Sequence, residues 1–84
     1  MRAICVFRDN QDYSRAVNEW LENFHRQTGR QIEILNPDEN VNFCETYDVV
    51  EYPTILITGD SGEVRASWRG KELPLINEVL YYMI

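Results

Sequence analysis

The chain has 84 residues, 44% of them hydrophobic, which supports one modest core and not a second, so a single domain spanning residues 1–84 is expected. Fourteen Asp and Glu against eight Lys and Arg give a formal net charge of -6, which argues against nucleic acid or an anionic membrane as a partner, because either selects a basic face. No stretch has the layout of a signal peptide or the ~20 apolar residues of a membrane span, so a cytoplasmic location is expected.

Ala3-Ile4-Cys5-Val6-Phe7 is an unbroken apolar run, the pattern of a strand buried on both faces, and it is placed at the centre of a sheet. The polar run Arg8-Asp9-Asn10-Gln11-Asp12 follows, rich in helix-capping types, and predicts a helix that begins at Asn10 or Asp12. Within it Ala16, Val17, Trp20, Leu21 and Phe24 form one apolar stripe, while Arg15, Glu19, Glu22 and Arg26 face outward. Gly29 closes the helix. Gln31 to Leu35 reads as a second strand with Ile32 and Ile34 on one face, parallel to the first through a right-handed crossover.

Asn36-Pro37 ends that strand, and a short helix is predicted from Phe43 to Val49. Pro53 then opens an apolar strand, Thr54 to Thr58, at the one strand position where a residue without an N–H is readily tolerated. The cluster Gly59-Asp60-Ser61-Gly62 turns the chain into an antiparallel partner, Glu63 to Trp68, with Val64, Ala66 and Trp68 on the buried side and Arg65, Ser67 and Arg69 on the wet one. Pro74 suits the first position of a last helix, whose inward stripe is Leu73, Ile76, Val79, Leu80 and Met83. The order is β-α-β-α-β-β-α, an α/β protein with a four-stranded mixed sheet and helices on both faces.

Asn36-Pro37-Asp38-Glu39-Asn40, Tyr47-Asp48-Val49, Pro53-Thr54, and Gly62-Glu63-Val64 with Gly70 fall at the spacing of the second half of thioredoxin, with one extra residue in the hairpin turn. The chain resembles the thioredoxin-like superfamily over residues 36–84 by motif and over residues 1–35 by pattern. The resemblance implies a minimal thioredoxin-like fold of about glutaredoxin size, lacking the extra N-terminal strand and helix of full thioredoxin. It also implies a cis Tyr52-Pro53 bond facing the site, with the backbone of the residue before the proline pairing with an extended substrate segment. Carried over, the binding rim is Glu51, Tyr52, Pro53, Arg69, Gly70 and Lys71, beside a junction formed by Asn10, Gln11, Asp12, Tyr13 and Ser14.

Dithiol chemistry in that family needs a thiolate of lowered pKa at a helix N-terminus and a second, resolving thiol. The junction here holds no cysteine, and the strand Ala3 to Phe7 lacks the buried carboxylate of thioredoxins. The two cysteines, Cys5 and Cys44, read as small core hydrophobes, and no histidine stands at ligand spacing, so neither a metal nor any other cofactor is expected. The expectation is therefore a redox-inactive module that binds a protein or peptide at the Pro53 rim, with its oligomeric state open. The competing reading is a glutathione- or thiol-dependent enzyme in which Ser14, Tyr13 or Cys44 acts. It follows from a likeness to the N-terminal domain of glutathione transferases, but the acidic-serine pair and helical second domain of those enzymes have no counterpart here. Against it, Ser14 and Asp12 are the types that cap a helix, and His25 lies off the apolar stripe as a solvated residue. Trp20 and Trp68 read as core, whereas Tyr81 and Tyr82 cannot both face inward.

Overall fold

A computed structural model describes residues 1–84. The elements in chain order are β1 (Arg2–Val6), α1 (Ser14–Thr28), β2 (Glu33–Leu35), α2 (Val41–Thr46), β3 (Thr54–Thr58), β4 (Val64–Arg69) and α3 (Ile76–Met83). They build one four-stranded sheet in the order β2-β1-β3-β4, with β1 parallel to β2 and antiparallel to β3, and β4 antiparallel to β3. No helix is long and apolar enough to cross a membrane.

The two central strands explain the two-sided core. Along β1 and β3 successive side chains point to opposite faces, so unbroken apolar runs feed both. On one face Cys5, Ile55 and Ile57 pack with Val17 and Phe24 of α1 and Val79 and Met83 of α3. On the other, Ile4, Val6 and Leu56 pack with Cys44 of α2 and Val49. Each central-strand residue Ile4, Cys5, Val6, Leu56 and Ile57 is wholly removed from solvent.

Several boundaries differ from the sequence expectation, each for a local reason. Helix α1 begins at Ser14 rather than at Asn10 or Asp12, and Tyr13 precedes it with no side-chain cap. The polar residues that suggested an earlier start are spent on the loop itself. Ala16 is exposed, so the inward stripe is Val17, Trp20, Leu21 and Phe24. Gly29 closes the helix at φ 73°, its N–H donating to the His25 carbonyl at 2.8 Å. Strand β2 is only three residues long and lies at the sheet edge; Ile32 is buried just before it, while Ile34 is 54% exposed.

Helix α2 runs earlier and stops sooner than predicted, because Asp48 takes a positive φ of 54° and ends the helical run. In β4 a register shift between Ile57 and Thr58 sets Val64 opposite Thr58, whereas Ala66 and Trp68 stand opposite Ile57 and Ile55. The extra residue turns Val64 away from the face that holds Ala66 and Trp68, and it is exposed. Pro74 lies just before α3 rather than in its first position: Leu75 is the N-cap, and the Leu75 N–H donates to the Glu78 carboxylate at 3.1 Å. The Pro74 carbonyl, in turn, accepts from Trp20 Nε1 at 2.9 Å, tying α1 to the start of α3. Trp68 is half-buried, not buried, and both Tyr81 and Tyr82 are exposed.

Candidate functional site

The Tyr52–Pro53 peptide bond is cis, and it stands where the chain enters β3. Three bonds hold this segment from below. Gly70 donates its N–H to the Pro53 carbonyl at 2.9 Å, Thr54 Oγ1 donates to the Glu51 carbonyl at 2.6 Å, and Arg69 reaches from β4 to the Asp48 carbonyl at 2.7 Å. Gly70 sits at φ 95°, and a Cβ there would lie 3.3 Å from Glu51 Oε2, so this position favours glycine twice over. Pro53 is buried, Tyr52 half-buried, and Glu51, Arg69 and Lys71 are exposed. No hydrogen bond within the chain uses the N–H or the C=O of Tyr52.

The β1–α1 junction lies against this rim. Lys71 Nζ bridges to Asp12 Oδ2 at 3.2 Å, joining the rim to the junction through two exposed side chains. Asn10 and Gln11 are exposed and pair with each other, Gln11 Nε2 donating to Asn10 Oδ1 at 3.3 Å. Ser14 is 5% exposed, and its hydroxyl is fully engaged, donating to the Arg8 carbonyl at 2.7 Å and accepting from the Gln11 N–H at 3.0 Å. The Tyr13 hydroxyl accepts from the Arg8 N–H at 3.3 Å while its ring packs on the α1 side of the core. Ser14 therefore closes the loop rather than capping the helix.

Two residues that sequence reasoning did not select complete the site. Arg8, two residues beyond β1, grips the Asp38 carboxylate with two nitrogens at 3.0 and 2.8 Å, and its guanidinium lies over the Tyr52 ring, 4.9 Å from the centroid. This bidentate contact holds the Asp38 carboxyl below the ordinary carboxylate range and pushes the Arg8 guanidinium up. The Asp38 N–H also donates to Asn36 Oδ1 at 2.8 Å, so the Asn36-Pro37-Asp38 turn delivers the carboxylate to Arg8. The available signal was a cation directly after the central strand and an acid in the turn after the neighbouring parallel strand, ends that a parallel pair brings together.

No protein-family model matches this chain, and no curated protein sequence does. Among solved structures it is similar to thioredoxin 1 from the thermophilic eubacterium Thermosipho africanus TCF52B, with a TM-score of 0.71 and 17% identity over 99% of this chain and 90% of that one. It is also similar to a protein described as a malarial protein, with a TM-score of 0.69 and 14% identity over 96% of this chain and 90% of the other. The fold is thioredoxin-like. At these identities the likeness concerns the fold alone.

Within this thioredoxin-like frame the two cysteines lie on opposite faces of the sheet, Cys5 with α1 and α3 and Cys44 with α2, and both are free. Burial pushes the Cys5 thiol up to about 12. Cys44 is 9% exposed, and burial raises its thiol too, against a smaller lowering pull from Arg8. A raised pKa is the reverse of what a nucleophilic thiol needs. His25 is exposed and lines a shallow depression of about 440 Å³ between α1 and the β2 edge, with Leu21, Ile32 and Ile34; no nucleophile or second histidine joins it there, and it lies apart from the rim. No group of three or more potential ligands is placed to hold a metal ion.

Proposed function

We propose that this chain is a non-catalytic thioredoxin-like module that holds an extended protein or peptide segment at the rim around Pro53, without a cofactor. The observation that carries this reading is the main chain of Tyr52. Its N–H and C=O are left without partners inside the chain, at the head of β3, on a segment braced by Gly70, Thr54 and Arg69. Polar main-chain groups of this kind are strong hydrogen-bonding partners, and an extended ligand satisfies both at once by strand-like pairing. Tyr52 and Arg69 supply the side-chain types that dominate binding energetics. The Ser14 O–H is donated to the Arg8 carbonyl and is not free to meet a thiolate, which supports the binding reading over a glutathione-dependent one that uses Ser14.

Peptide display against the reduced protein, followed by titration of the isotope-labelled chain with the selected peptide, tests the proposal. Saturable amide shifts centred on Tyr52, Gly70 and Lys71, lost in the Tyr52→Ala, Arg69→Glu double variant, are the expected result. Saturable shifts at Tyr13 and Ser14 with reduced glutathione, together with no peptide response at the rim, would instead establish the thiol-dependent enzyme.

A further inference from the structure

A cleft of about 420 Å³ opens beside Tyr52 on the α2 side of the sheet, with Pro37, Val41, Val49 and Val50 among its walls and Glu45 and Asp48 at its edge. Val41 and Val50 are 53% and 71% exposed, so the cleft leaves apolar surface in water right next to the unpaired Tyr52 main chain. The charges around it are not equivalent. Arg8 and Asp38 satisfy one another through two short bonds. Glu45 and Asp48 have exposed carboxylates that enter no ion pair and no hydrogen bond; Arg69 takes only the Asp48 main-chain carbonyl. The cleft thus joins an apolar wall to a net negative edge, in a chain whose formal net charge is -6.

Building on the peptide reading above, we propose that this cleft is a side-chain pocket for a lysine or arginine of the extended ligand. Long cationic side chains lay their methylene stems along apolar surface and keep the charged head in water or against a carboxylate. That division matches the valine and proline walls and the two unpaired carboxylates. In an extended segment alternate residues project to the same side, so pairing with Tyr52 presents a neighbouring side chain to the cleft while the main chain stays at the rim. An acidic side chain there meets Glu45 and Asp48 as like charges, and an uncharged aliphatic one gains the wall without the edge. The pocket selects; the main chain of Tyr52 holds.

The test uses a set of acetylated, threonine-rich extended peptides that differ only in one residue, which is lysine, norleucine or glutamate, moved through each position in turn. Binding is measured by titration with the wild-type chain and with the Glu45→Gln, Asp48→Asn double variant, which changes only the two side-chain carboxylates and keeps the Asp48 main-chain carbonyl that Arg69 uses to brace the Tyr52 segment. At one position lysine is expected to bind about tenfold tighter than norleucine and glutamate weakest, with the lysine preference shrinking to within about twofold in the double variant and weakening as salt rises. Equal affinity for lysine and norleucine at every position in the wild type, or a lysine preference kept intact by the double variant, overturns the pocket. Peptides that bind with rim shifts at Tyr52 and Gly70 but without charge preference defeat the pocket alone. Failure of every peptide to bind defeats both the pocket and the rim reading.

Discussion

Ser14 shows how a residue with a functional reading acquires a structural one. Its hydroxyl is buried and spans the Arg8 carbonyl and the Gln11 N–H, so it holds the end of β1 to the approach of α1. Ser14→Ala leaves two part-buried main-chain groups without their partner and is expected to lower stability by about 1–2 kcal/mol, measured as a shift in the urea midpoint. Peptide affinity at the rim should stay within about twofold, since the proposed pairing with the ligand is through Tyr52. A fall in binding with unchanged stability would return Ser14 to the site. Asp38 contributes a pH dependence. Because Arg8 holds its folded pKa below the ordinary value of 3.8, the contact contributes stability above that value and loses it as pH falls through the lower folded one. Urea midpoints of wild type and Asp38→Asn should therefore differ at neutral pH and converge as the medium is acidified below about pH 4. A gap that persists unchanged in acid would contradict the Arg8–Asp38 account. Neither role was legible from residue type alone: Ser14 reads equally as a cap, and Arg8 needs the β1–β2 pairing to find Asp38.

At the scale of elements, the strands were the most legible and the helix ends the least. The run Ala3 to Phe7 and the run Thr54 to Thr58 announce themselves, because a strand covered on both faces has no polar side to break its pattern. Helix α1 was found through its stripe, but its start at Ser14 goes with the loop bonds of the Ser14 hydroxyl to Arg8 and Gln11, which no propensity encodes. The position of Val64 depended on a bulge that exists only in the pairing of β3 with β4, so alternation counted along β4 alone misplaced it. Strand β3 bears the greatest load. All five of its residues are buried, and Leu56 is wholly so, at the centre of the α2-side core. Leu56→Ala is expected to remove on the order of 3 kcal/mol, a large part of the total for a domain of this size. The control is Leu75→Ala, where the side chain is 71% exposed and the change should stay within about 0.5 kcal/mol. Thermal denaturation compares the two. Similar midpoints for both variants would mean that the two-sided core is not organised around β3.

For the whole molecule, the architecture and the site differ in how they are written. The fold follows from distributed patterns, two central apolar strands and helices on both faces, and the likeness to solved structures at 17% and 14% identity shows how little specific sequence those patterns require. The site depends on a few main-chain groups and on side chains brought together from β1, the turn after β2, the head of β3 and the end of β4. In the proposed reading, the chain's formal net charge of -6 favours a cationic partner at a distance, and the unpaired main chain of Tyr52 would supply the short-range contact. The central claim is that this main chain, rather than a thiol, is what the molecule offers. An N-methyl scan of a bound extended peptide tests it most directly, because methylation deletes one main-chain donor at a time and leaves every side chain in place. Binding under reducing conditions should fall more than about tenfold when the peptide amide facing the Tyr52 carbonyl is methylated, with most neighbouring amides tolerant. Uniform tolerance along the peptide, or binding that disappears whenever reductant is present, would contradict the account.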